Sequence, residues 1–173
     1  RPWTNDVLEA NLSYGFRMKY RANDDFDLPI YRSLHISHYE RLDGDVIFEH
    51  ESDTLNIQLI ELGVAAAISI ETQNLNQAVV YEMGKTGEVP TLNLMPVPCR
   101  EEDPPKLSIG QVENSVAKFH MYDGIIDGVH NSGFAAIIEV GRDGWGEFIQ
   151  KNGEIQVSDF SLASSSTSEG SYT

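Results

Sequence analysis

Residues 134–160 read FAAIIEVGRDGWGEFIQKNGEIQVSDF. Within them, Asp143-Gly144 and Asn152-Gly153 each fall between runs of strand-forming residues. Asp-Gly and Asn-Gly are favoured where a two-residue hairpin turn needs positive φ at both central positions. The stretch Phe134 to Phe160 is therefore expected to form a three-stranded antiparallel meander. In that register Lys151 pairs with Glu154, Phe148 faces Val157, and Gln150 faces Ile155. Across the first turn Glu139 faces Phe148 and Ile138 faces Ile149. Both faces of such a sheet are partly apolar, so it needs cover on both sides, from a second sheet, the C-terminal tail or another chain.

Working outward, the same pattern recurs. Tyr14 to Arg21 alternates, with Phe16, Met18 and Tyr20 on one side and Arg17, Lys19 and Arg21 on the other. Arg32–Tyr39, Val46–Phe48, Leu55–Leu62, Val64–Glu71, Ala78–Met83, Val89–Val97, Lys106–Gly110 and Ser115–Tyr122 are further expected strands. Trp3 to Leu12 is expected to form a short helix with Thr4 as N-cap. About ten short strands separated by turn residues, with no visible internal repeat, predict an all-β fold: an antiparallel β-sandwich or β-barrel. The expected domain covers residues 1–160. Residues 161–173 hold eight Ser or Thr among thirteen and form a polar extended tail. Alone, such a tail cannot bury enough to order itself. If it is ordered, something holds it, and a neighbouring subunit is one candidate.

The chain has 173 residues and 40% hydrophobic content, enough for one domain with a sizeable core. No apolar stretch approaches the ~20 residues that span a bilayer, so membrane insertion is not expected. Arg1-Pro2-Trp3-Thr4 opens no charged-then-apolar run of the signal-peptide kind. The net charge of −15 lies entirely in residues 42–173, where 21 acidic side chains face six basic ones. That field repels phosphate backbones and argues against nucleic-acid partners; it suits a basic protein partner.

Candidate chemistry is sparse. His35 and His38 are three apart, which on a strand sends them to opposite faces and breaks a metal pair. Asp123, Asp127 and Asn131 have some character of a calcium loop, but lack its regular spacing, and turn formation explains both Asp-Gly pairs. Gly84-Lys85-Thr86 resembles the end of a phosphate loop, yet Val79 stands where the pattern needs glycine. Cys99, the single cysteine, sits in a proline-rich loop and reads as a bystander. Glu61, Glu71, Glu139 and Glu147 lie in apolar strands, and Glu139 is of most catalytic interest, because Ile137, Phe148 and Val157 are its expected neighbours and would desolvate it. No catalytic set and no cofactor site is readable. The leading expectation is a non-enzymatic structural or protein-interaction subunit of a larger assembly, such as a virion or other particle, with homo- or hetero-oligomeric protein partners. A ligand- or carbohydrate-binding module is the alternative. A glycoside hydrolase with Glu139 and a second carboxylate comes third.

Overall fold

A computed structural model describes residues 16–21, 30–36, 46–63, 78–96, 104–111, 113, 115–129, 135–163 and 169–173. The expected helix at Trp3–Leu12, together with His38, Cys99 and Asn131, lies outside them. The described residues hold fourteen strands: β1 Phe16–Arg21, β2 Ile30–Ile36, β3 Val46–His50, β4 Thr54–Leu62, β5 Val79–Met83, β6 Thr91–Leu94, β7 Lys106–Ile109, β8 Val116–Met121, β9 Ile125–Asp127, β10 Ile137–Val140, β11 Trp145–Gln150, β12 Glu154–Gln156, β13 Asp159–Leu162 and β14 Glu169–Tyr172. There is no helix among them.

Many of the strands lie where they are expected, while the expected strand Val64–Glu71 lies outside the described residues and β9 and β14 were not expected; the pairing overturns the antiparallel sandwich or barrel. Every strand pairing except β1 with β2 is parallel. One sheet stacks β3, β5, β8, β11 and β14 in that order. The other stacks β6, β9 and β12 on the first half of β4, and β7, β10 and β13 on its second half. Chain order and stacking order coincide, so the chain winds in coils. Each coil takes one strand from the first sheet and one from each half of the second, and the next coil lies on top in register. This is a parallel β-solenoid, in which neighbouring coils make the core.

The expected meander fails for the same reason. β10, β11 and β12 are consecutive yet do not pair with one another. β10 lies between β7 and β13, β11 between β8 and β14, and β12 beside β9. Asp143 and Gly144 donate their amides to the Gly110 carbonyl of the preceding coil (3.0 and 2.9 Å), and Glu154 donates to the Gly124 carbonyl (2.9 Å). The turn residues are real turns, but they form corners between sheets, not hairpins. Phe148 thus joins Ile138 and Val140 in the core, while Glu139 faces away from them. The tail also lies in the stack: β13 crosses residue 160 and pairs with β10, and β14 pairs with β11. The described part of the tail is held by its own chain.

One corner repeats in every coil. Gly63, Gly110, Gly141 and Ala163 each follow the last residue of a strand, after Leu62, Ile109, Val140 and Leu162. All four have positive φ, at 87, 76, 70 and 53°. Gly110 donates to the Leu62 carbonyl (3.1 Å), Gly141 to Ile109 (2.7 Å) and Ala163 to Val140 (2.8 Å), the same bond coil after coil. At Gly110 a Cβ would lie 2.7 Å from the Trp145 carbonyl oxygen, so the corner needs glycine for space as well as conformation.

Stacked corners put like residues above like. Phe48, Tyr81, Phe119, Phe148 and Tyr172 form one column, with successive ring centroids 5.0, 4.6, 5.0 and 5.7 Å apart. Leu34, Ile60, Leu107, Ile138 and Phe160 form another across the core. The core also holds a polar pair: the Tyr81 hydroxyl donates to His50 Nδ1 (2.8 Å), and His50 Nε2 donates to the Asp53 carbonyl (2.7 Å). That assignment requires the neutral imidazole. Burial holds the His50 pKa below its ordinary value of 6.5, with the Asp53 carbonyl bond partly opposing it.

The corner and the buried histidine each give testable outcomes. Ala163→Gly should stabilise the protein by on the order of 0.5–1 kcal/mol in denaturant unfolding, because alanine strains in the left-handed region. Gly110→Ala should destabilise it by on the order of 1–3 kcal/mol. For His50, the unfolded chain takes up the proton more readily than the native one. The stability that neutral His50 contributes is therefore full above about pH 6.5 and is lost as pH falls toward the lower native value. Between about pH 7.5 and about pH 5 the wild type should lose stability that His50→Gln does not lose. At neutral pH that variant should already be weaker by about 1–3 kcal/mol, since the Tyr81 hydroxyl loses its acceptor. Equal slopes in the two proteins would refute the assignment.

Candidate functional site

Strands alternate, so the residues between the core columns face out. On the first sheet, Tyr81, Phe119 and Phe148 point in. Their neighbours Glu82, His120, Lys118, Glu147 and Trp145 therefore stand on the opposite face, brought to neighbouring positions by the register Glu82↔His120 and Lys118↔Glu147. Sequence reading did not group these residues, which lie far apart along the chain.

Their contacts form one connected set. The Glu82 side chain is 8% exposed; its Oε2 accepts from Lys85 Nζ at 2.7 Å, and its Oε1 accepts from the Tyr122 hydroxyl at 3.4 Å. The Glu82 hydrogen bond raises the Lys85 pKa. Glu147 Oε1 lies 3.8 Å from Lys118 Nζ and 3.5 Å from His120 Nε2. That imidazole nitrogen is buried and has no hydrogen-bond partner. Lys118 sits 5.8 Å from the centre of the Trp145 ring, and Lys151 4.4 Å from that of Tyr122. Three of the six basic residues after position 41 thus lie on one face of an acidic molecule. The Gly84-Lys85-Thr86 turn joins this face through a second carboxylate: Thr86 donates its amide and hydroxyl to Glu51 Oε2 (2.9 and 2.8 Å). Those bonds, the amide first, hold the Glu51 pKa below the usual carboxylate value.

Glu139 lies on the outer face of the other sheet. It does not have the apolar surroundings expected for it. Ser108 donates to its Oε2 at 3.2 Å, and Arg142 Nε lies 4.0 Å away. The register places Glu61, Ser108 and Glu139 on one ladder. Asp123 and Asp127 serve their own turns. Asp123 Oδ1 accepts the Gly124 amide (2.7 Å), its Oδ2 accepts from Asn152 (3.1 Å), and Asp127 Oδ1 accepts the Val129 amide (3.1 Å). Among the described residues no three His, Cys, Asp or Glu side chains come together as metal ligands.

The last coil forms a further surface. Tyr172 ends the aromatic column and is 48% exposed, Leu162 is 46% exposed, and Phe160 packs against Tyr172 with centroids 5.1 Å apart. No described strand lies beyond β12, β13 and β14. Glu154, Asp159 and Glu169 are exposed along the same edge.

No family model matches the chain, and comparison with curated proteins and with solved structures finds no match.

Proposed function

We propose that the protein is a non-enzymatic structural or interaction subunit of a larger assembly, joined to a second copy of the chain along the edges of β12, β13 and β14. The exposure of Tyr172 and Leu162 at the end of the core carries this reading. A solenoid buries the apolar residues of each coil against the next coil. Here apolar core residues share one surface with the edges of β12, β13 and β14, which pair with no further strand among the described residues; that is the composition of a strand-addition interface. The acidic side chains Glu154, Asp159 and Glu169 rim that surface and oppose pairing of two such ends at low salt. A hydrolase built on Glu139 and Glu61 is less well supported, because a hydroxyl and a guanidinium hold Glu139 as they would a structural carboxylate.

Sedimentation of the purified chain over a range of concentration and salt tests the reading. Association should grow as salt screens the acidic rim. Replacing Leu162 and Tyr172 together by Glu should abolish it while leaving the circular dichroism spectrum intact. A chain that stays monomeric under all these conditions overturns the proposal.

A further inference from the structure

We propose that Asn152 is a site of spontaneous covalent modification: its side-chain amide condenses with the Gly153 backbone amide, and the product loosens β12 from the stack. This is independent of the assembly reading and holds equally for a single chain.

The chemistry needs an Asn or Asp side chain, a following backbone amide that is free to attack it, and little bulk beside that amide. Glycine, without a Cβ, supplies the least bulk. Four such pairs lie in the described residues: Asp123-Gly124, Asp127-Gly128, Asp143-Gly144 and Asn152-Gly153. In the first three the glycine amide is held. Gly124 donates to Asp123 Oδ1 (2.7 Å), Gly128 to the Gln156 carbonyl (2.7 Å) and Gly144 to the Gly110 carbonyl (2.9 Å). At the fourth pair the flanking amides are held, Lys151 by the Met121 carbonyl (2.8 Å) and Glu154 by the Gly124 carbonyl (2.9 Å). The Gly153 amide between them has no acceptor among the described residues. Lys151, Asn152, Gly153 and Glu154 are all exposed, so water and base reach the pair. It is also the one Asn-Gly in the chain, and an amide expels ammonia more readily than a carboxylate expels water.

The step needs no reagent but water. The Gly153 nitrogen bonds to Asn152 Cγ and gives up its proton. The Cγ–Nδ2 bond breaks, and that nitrogen leaves with the proton as ammonia, which closes a succinimide ring. Water then opens the ring at either carbonyl and yields aspartate or isoaspartate.

Both products conflict with their surroundings. Asn152 Nδ2 donates to Asp123 Oδ2 at 3.1 Å, which ties the corner after β11 to the corner after β8. An aspartate at this position has no such donor and sets one carboxylate against another. An isoaspartate lengthens the backbone by a methylene where there is no slack. A Cβ on Gly153 would lie 2.4 Å from the Gly124 carbonyl oxygen, the same oxygen that accepts from Glu154. The longer corner carries Glu154 out of register with Ile125, where β12 begins on β9. With three residues and one neighbour among the described strands, β12 has little else to hold it.

The test keeps the full chain folded at mildly alkaline pH for days, then digests it and maps the peptides by mass and chromatography. The Asn152 peptide should split into aspartyl and isoaspartyl forms several-fold faster than the peptide of any other asparagine. It should do so more slowly at mildly acidic pH, where fewer amide nitrogens ionise. The rate in the folded chain should approach that in urea-unfolded chain, and Asn152→Gln should abolish the conversion with an unchanged circular dichroism spectrum. Aged protein should exchange the amide hydrogens of β12 faster than fresh protein. Asn152→Asp should unfold at lower denaturant than the wild type, and adding Asp123→Asn should recover most of that loss. An Asn152 that survives in the folded chain while it converts in urea, or that converts no faster than the other asparagines, overturns the site. An Asn152→Asp chain as stable as the wild type, no recovery by Asp123→Asn, or β12 exchange unchanged by ageing overturns the effect assigned to it.

Discussion

The structure depends on a backbone corner that must enter the left-handed region once per coil. At Gly63, Gly110, Gly141 and Ala163 the chain leaves the second sheet with positive φ, and each later corner amide bonds a carbonyl of the coil before it. A parallel strand cannot be reached by a tight reversal; the chain must travel around and return one strand spacing, about 4.8 Å, further along. A corner that turns by a fixed amount and stacks on its predecessor keeps the returning strand in register. If a corner slipped, the inward columns would rotate outward along the whole following strand.

In-register return explains the core and the surface together. It superposes Phe48, Tyr81, Phe119, Phe148 and Tyr172, so Tyr81, Phe119 and Phe148 are each sandwiched by rings of the coils on either side. Such pairs are worth about 0.5–1.5 kcal/mol beyond the area they bury. Outside, the same register superposes polar residues, and each ladder acts as a column of neighbours with defined spacing. Asn93 donates to Asn56 at 2.8 Å on one outer ladder, Ser108 to Glu139 on another, and Lys118 stands beside Glu147 on a third. The backbone pairing that holds the core also fixes these contacts, which is why an outer face can present an ordered row of charges without a pocket to enclose it.

The stack also creates unequal surfaces. Along its sides apolar columns are covered by the next coil. At β12, β13 and β14 no described strand covers them, and Tyr172 and Leu162 remain half exposed among acidic residues. The negative field that discourages edge pairing between like ends is concentrated after residue 41, while Lys85, Lys118 and Lys151, three of the six basic side chains there, share one face.

Local sequence determined where many of the strands lie and where the chain turns. Alternation marked β1 and β2, and Asp143-Gly144 and Asn152-Gly153 are turns. Which strands pair was decided by tertiary structure alone. A hairpin and a solenoid corner call for the same residues, because both need positive φ, and nothing in Asn152-Gly153 says whether the next strand returns beside its neighbour or crosses to another sheet. The repeat that would have betrayed the winding is hidden: positions 63, 110, 141 and 163 are unevenly spaced, and the last is alanine. The outer face was illegible for the same reason. Glu82, His120 and Glu147 become neighbours only through a parallel register that ties together distant segments, and Glu139 changes its surroundings entirely once Phe148 belongs to the core of the next coil instead of the facing strand.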